Sequence, residues 1–497
     1  MNRPILLAAM LALGVPLLPG CQSDDQRAAA EAALAAGSAQ SGNLSAAQLH
    51  IRRAIARRDD VAEYWQLAAQ IDIALGDNAA AYNDYRTLIA LDRANVEALR
   101  SLCQLGAQYG RPDEVEKFAD QLLQVAPNDT LPLVAKGGIS LVRGDNETAL
   151  KFAEQALAAN PNDVPALTLK ARILVRARKY TEAAALLEGA VPAIGGSAQL
   201  FTILADTYRQ GGDRAGYVRA TRLLAASEPR DPNAMLRYAG LLYEDGDAPA
   251  ARAMIVEAAK LRPNDVSLAG MALDLWLEEG AAALVMETLP AQATDAPPEL
   301  RAAYAQYANE LGRPDLALAI LGDLRGVGFG VDKLNLQAAY AEALARSGRG
   351  AQARGVIAQL LEADANHPRG LIARARTLAA ARDWTGAIAD LRQVVADDPA
   401  NVTARGLLAN AFFARDDATL AFSALREGVK AAPESARMAA LLAGALLANR
   451  RRAEAAQALI DAARAAPLSL RIARLRSRLC PATRVADCAA PIKPVLP

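Results

Sequence analysis

Aromatic residues are scarce in this chain, at 4% against 53% hydrophobic residues overall, so its interior must be filled mainly by alanine and leucine. That composition favours helices and disfavours sheets, which draw on β-branched and aromatic side chains. Histidine is nearly absent: His50 and His367 are too few and too scattered to suggest a metal centre or a general base. The four cysteines, at 21, 103, 480 and 488, show no metal-ligand spacing. An excess of one charge is also missing, since 55 basic residues face 55 acidic ones, and this leaves no electrostatic footprint for nucleic acid. Neither a glycine-rich phosphate loop nor a serine nucleophile elbow occurs. The expectation is a non-catalytic, all-α protein with no cofactor, metal or small-molecule substrate, whose partners are proteins rather than nucleic acid.

What is present is a period. Prolines at 127, 161, 229, 263, 399, 433 and 467 are separated by multiples of 34, and Pro161-Asn162-Asp163-Val164 returns as Pro263-Asn264-Asp265-Val266. Proline lacks an amide hydrogen and drives the preceding residue out of the helical region, so such a run closes one helix while its Asp can cap the next. With each unit ending two residues after its proline, the eighth position is Ala at 69, 171, 205, 239, 305, 341, 375, 409 and 443, with Cys103 and Gly137 also small. The twentieth is Ala at 81, 149, 183, 251, 317, 353, 387, 421 and 455. Small side chains at two fixed places let helices approach closely. Gly76, Gly110, Gly144, Gly212, Gly246 and Gly348 share the fifteenth position, which marks a turn between two helices.

In these features the chain resembles the tetratricopeptide repeat (TPR) family, whose 34-residue helical hairpin carries a bulky residue, Leu then a small residue, a Gly turn, Ala, an aromatic and a closing Pro. Trp65, Gly76, Ala81 and Tyr85 match one copy, and Leu133, Gly137, Gly144, Ala149, Ala156 and Pro161 match another. Gly195 and Arg93 depart from the pattern where a closing proline is usual. Units in phase run from 28 to 469, about 13 repeats. The resemblance implies a TPR solenoid, a right-handed superhelix of antiparallel helix pairs with a concave wall that binds protein segments.

Residues 1 to 20 read as a secretory signal peptide: Arg3, then an apolar run from Ile5 to Leu18 broken by Pro16. Leu18-Pro19-Gly20-Cys21 resembles a bacterial lipobox, with Pro19 where Ala or Ser is usual. That resemblance implies lipidation of Cys21, a lipid-anchored linker over 21 to 27, and, with Gln22 following, delivery to the outer membrane facing the periplasm. Ordinary cleavage near the Ala-rich stretch at 28 to 33 is the competing reading. Cys103 holds a small-residue position and reads as buried packing. In an exported chain, Cys480 and Cys488 are then left to form a disulfide, whose nine-residue loop is worth about 2.5 kcal/mol in the chain-entropy relation.

An N-terminal sub-array is expected over 28 to 290 and a C-terminal one over 333 to 469. Between them, residues 291 to 332 carry Pro297, Pro298 and the alternating glycines at 326, 328 and 330, which fit either a divergent repeat or a hinge. Residues 470 to 497 supply a capping helix and disulfide tail, with arginines at 471, 474, 476 and 478 on an outward polar face.

The concave wall should be lined by the second, fifth, ninth, twelfth and thirteenth residues of each unit. This selects Gln66, Gln70, Arg100, Gln104, Arg172, Arg176 and Arg209, then Glu244, Asp274, Glu278, Glu299 and Glu310, then Arg346, Arg369 and Arg376. The wall thus reads basic, acidic, basic, either as a solvated face or as a seat for an extended partner segment or helix of complementary charge. Resemblance to TPR lipoproteins of exopolysaccharide export, including exosortase-linked systems, implies a periplasmic assembly scaffold. Pilus, peptidoglycan or outer-membrane-protein machinery is the alternative setting.

Overall fold

A computed structural model describes residues 23–279, 296–322 and 333–489, comprising 26 α-helices and one C-terminal 3-10 turn, with no strand among the described residues. The signal segment, Cys21 and the last eight residues lie outside them. The chain forms two compact units that meet in sequence at Gly196 and Ser197. This boundary falls where Gly195 replaces the closing proline, and Gly195 and Gly196 both adopt positive φ. The stretch 291–332, expected to separate an N-terminal from a C-terminal sub-array, lies inside the second unit.

The first unit contains five helical hairpins, from Asp24–Gln40 paired with Leu44–Ile55 to Val164–Arg176 paired with Tyr180–Ile194. The second has seven complete hairpins, a first helix Val266–Glu279 whose sequel lies outside the described residues, and a terminal helix Leu470–Thr483. Through the irregular stretch the packing continues. Trp276 meets Tyr307 with ring centroids 6.1 Å apart, and one buried cluster holds Leu273, Ala305, Leu336 and Leu344 together.

Local chemistry explains the hairpins. All six fifteenth-position glycines adopt φ between 64° and 88°, which ends the first helix in a left-handed residue and reverses the chain. Where the sequence offers no glycine, Arg178, Arg382, Asp416 and Arg450 take that conformation themselves, with φ of 59° to 63°. Of the two Pro-Asn-Asp-Val runs, the later one caps the next helix, Asp265 accepting from the Leu268 N–H at 3.1 Å, whereas Asp163 holds the cap position without a side-chain bond. The alanines at both recurrent small positions are buried throughout, none exceeding 3% exposure, so the helices close on one another with no room for a larger side chain. At Gly137 a Cβ would lie 2.5 Å from Leu169 Cδ2, so even a methyl group would force that side chain to move.

Candidate partner-binding surfaces

In the first unit the concave positions are presented to solvent, and their polar groups bond within neighbouring hairpins. Gln66 and Gln70 both donate to Glu97 at 2.9 Å, Arg100 pairs with Asp129, and Arg176 donates to the Leu141 carbonyl at 2.7 Å. Gln104 and Arg172 are exposed. Two apolar residues share this wall, Ile73 at 41% exposure and Val142 at 83%, the latter among the most exposed large hydrophobic side chains of the protein. A wall that mixes arginines with bare aliphatic side chains can take up a segment that brings both carboxylates and apolar groups.

The second unit is different, because its acidic row is already occupied by its own chain. Glu244, Glu278 and Glu310 each stand at the thirteenth position of consecutive repeats, near the end of the first helix of the hairpin. Opposite them stand the starts of three later first helices, Val402–Phe413, Ala436–Ala448 and Leu470–Thr483. Thr403 Oγ1 donates to Glu310 at 2.6 Å, and Arg437 reaches the same oxygen at 3.4 Å. Ser435 Oγ donates to Glu278 at 3.0 Å. Glu244 accepts from Ser469 Oγ at 3.4 Å, from the Leu470 N–H at 3.2 Å and from Arg471 Nε at 3.0 Å, while Arg214 donates both to it and to the Leu468 carbonyl at 2.9 Å. The pairing is antiparallel, the earliest glutamate meeting the latest helix. Each carboxylate lies at a helix N-terminus, where unpaired N–H groups and the helix dipole favour negative charge.

Further along the wall the expected arginines at 346 and 376 meet an acid of their own chain, Glu342. Glu342, fully buried, holds Arg346 at 3.0 Å and Arg376 at 3.3 Å, and accepts from Gln306 Nε2 at 3.0 Å. Shielding from water raises the Asp274 carboxyl above the usual range, against the pull of Arg437 and Arg369. Glu299 bonds Asn335 at 3.4 Å, and Arg209 pairs with Asp206 on its own helix at 2.7 Å. Glu244 and Glu310 therefore do not lie open to an incoming segment. Opposite charges set apart along one wall attract when that wall folds inward, and the intramolecular partners are always at hand. The residues missed from sequence are Glu342, Thr403, Ser435, Ser469 and Arg471. Glu342, Thr403 and Arg471 hold ninth or second positions of their repeats, so the register itself was the signal.

The terminal helix departs from a plain cap in the same way. Ile472 and Leu475 are buried on the last hairpin, beside Cys480 and Cys488, which are disulfide-bonded. Its polar face is not wholly outward: Arg471 and Arg474 both turn toward the end of Pro232–Glu244, and Arg476 donates to the Cys488 carbonyl. Cys103 is a buried free thiol whose pKa burial pushes up to about 12. His367 is the N-cap of Pro368–Ala380, its Nδ1 accepting from the Gly370 N–H at 3.3 Å. No helix among the described residues is long and apolar enough to cross a membrane.

Stacked helical hairpins with left-handed turns and paired small positions define a helical repeat protein. Residues 141–206 and 372–436 each match a family model described as tetratricopeptide repeat, and the same period extends through the hairpins on either side. The chain is a TPR protein, an all-α solenoid of the kind that serves as a protein–protein interaction scaffold. Similar solved structures include a tetratricopeptide repeat protein from Parabacteroides merdae, with 15% identity over 50% of this chain and 98% of that one and a TM-score of 0.40. PilW, a type IV pilus biogenesis factor, gives 20% identity over 41% and 94%, with a TM-score of 0.35. PilF of Pseudomonas aeruginosa gives 20% over 41% and 94%, with a TM-score of 0.33. At these values the likenesses convey nothing about function. No curated protein sequence matches the chain.

Proposed function

We propose that the protein is a non-catalytic scaffold, anchored through a lipid on Cys21 to the periplasmic face of the outer membrane, that receives a protein segment on the concave wall of its first unit. The observation that carries the binding surface is the contrast between the two walls. In the second unit the acidic positions are taken by the protein's own helix starts, whereas in the first unit Arg172 and Val142 remain exposed. A complementary segment is extended or helical, with carboxylates spaced to meet the arginines and an aliphatic group for Val142. The lipobox resemblance at Leu18 to Cys21 supports the anchor, and the likeness to export-associated TPR lipoproteins supports a role in assembling a secretion or surface-polymer machine.

The test places a photo-crosslinking residue at Gln104 or Val142, with exposed Ala158 on a second helix as the control site. The expected result is one crosslinked envelope protein from the concave sites alone, lost in Arg172→Glu. Equal capture from the control site, or capture indifferent to Arg172→Glu, overturns the assignment of the wall. Fractionation of Cys21→Ala tests the anchor separately: wild type should partition with membranes and the variant with the soluble periplasm.

A further inference from the structure

We infer that the acidic row of the second unit is a receptor site for a cationic helix start, kept closed by the protein's own C-terminal repeats, so that an external segment of this chemistry competes with the terminal helix. The closure is built from one chemistry used repeatedly. A glutamate that ends one first helix meets the start of another, where a capping hydroxyl, a free backbone N–H or a second-position arginine donates to it. Glu244 is the station on which the inference rests. Glu244 is buried, with Ser469, Leu470 and Arg471 against its carboxylate across more than 220 residues of chain and Arg214 bonded to it as well.

Two further contacts lie at this station. Position 240, one helical turn before Glu244, is glycine; a Cβ there would lie 3.2 Å from Leu275 Cδ1 and 3.7 Å from the Arg471 guanidinium, so the arginine passes this turn at contact distance. Arg474 bonds the Glu244 backbone carbonyl at 3.2 Å, adding a cation to the negative end of the helix Pro232–Glu244. The carboxylate and the helix end together recognise a helix whose cap is Ser, Thr or Asn, with arginine two residues after the cap and again three residues further on. The terminal helix meets that description with Ser469, Arg471 and Arg474. An outside segment gains access when this internal copy leaves, and the effective concentration of the tethered copy sets the threshold.

The experiment uses the full chain and, as probe, a fluorescent synthetic peptide spanning residues 466–489 with its disulfide closed. In Arg471→Glu the internal copy is repelled while the receptor glutamate is kept. This variant should bind the peptide at least tenfold more tightly than wild type, and adding Glu244→Lys to it should abolish binding. Amide exchange at the ends of Pro232–Glu244 and Leu470–Thr483 should quicken at least tenfold in Arg471→Glu, and the exchanged pair Glu244→Arg with Arg471→Glu should restore slow exchange. Far-UV helicity equal to wild type, with unchanged exchange in Leu334–Arg346, separates opening from unfolding. Peptide binding that is equal in wild type and Arg471→Glu, or absent from every form, overturns the inference. So does exchange that Arg471→Glu leaves unchanged.

Discussion

Removing the Glu342 carboxylate should be among the most damaging single changes to the second unit. The side chain is wholly buried, accepts from Arg346 and Gln306 and forms an ion pair with Arg376, while the two guanidinium-bearing side chains keep only 18% and 19% of their exposure. Burial already works against the charge on Arg376, lowering its pKa, and Glu342 is the leading opposing influence. In Glu342→Ala both arginines lose their counter-charge without gaining water. Breaking a buried pair from one side costs about 3–5 kcal/mol, and two stranded cations place this case toward the top of that range. Replacing all three charged residues together, as Glu342→Leu with Arg346→Met and Arg376→Met, leaves no charge behind and should cost less than half as much. Because a repeat array need not unfold in one step, the measurement is native-state amide exchange of Leu334–Arg346 rather than a single melting point. A loss of about 4 kcal/mol appears there as exchange faster by nearly a thousandfold. A single-variant cost under about 1 kcal/mol would refute the reasoning, as would a triple variant as damaged as the single one.

Other outcomes follow from the hairpins. Ala171→Leu or Ala409→Leu should destabilise by about 1–3 kcal/mol, since extra methylenes have nowhere to go, whereas Ala107→Leu at an exposed site should be nearly neutral in urea titrations. Arg382→Gly and Arg450→Gly should each stabilise by about 1 kcal/mol, because glycine takes the left-handed turn without the Cβ penalty; calorimetry checks the sign. His367 must be neutral for its Nδ1 to accept from the Gly370 N–H, and burial lowers its pKa. Its contribution should therefore be complete above about pH 6.5, the ordinary histidine value, and be lost as the pH falls through its folded pKa. The pH dependence of exchange around residues 364–371 should flatten in His367→Asn, whose side chain can still cap.

The hairpins were legible in the sequence because their rules are local. A proline, a turn glycine and two alanines act within a dozen residues of where they stand, and the buried alanines follow the register closely. The left-handed arginines were not legible, since arginine has no preference for that conformation, and only the phase pointed to them. The second wall was harder still. The register places Glu244, Glu278 and Glu310 on the inner face, but which stretch of wall faces which depends on curvature summed over many small helix-packing angles. No single residue encodes that sum. The break at Gly196 was visible as a missing proline and a glycine pair, yet the richer run of prolines and glycines near 297 and 328 is the stronger local signal for a break.

The antiparallel pairing also changes how the second unit must come into being. An ordinary solenoid has low contact order, so each hairpin can settle on its predecessor as it leaves the ribosome and can fray from either end. Here Glu310 waits 93 residues for Thr403, Glu278 waits 157 for Ser435, and Glu244 waits 226 for the Leu470 amide. The acids are synthesised first and their partners arrive in reverse order, so the wall closes like a zip fastened from its middle outward. Its last station is complete only when Leu470–Thr483 has been made. Until then the early repeats carry carboxylates that lack their later partners, Glu244 keeping only Arg214, and a chain truncated before residue 469 would keep its hairpins while never finishing that face.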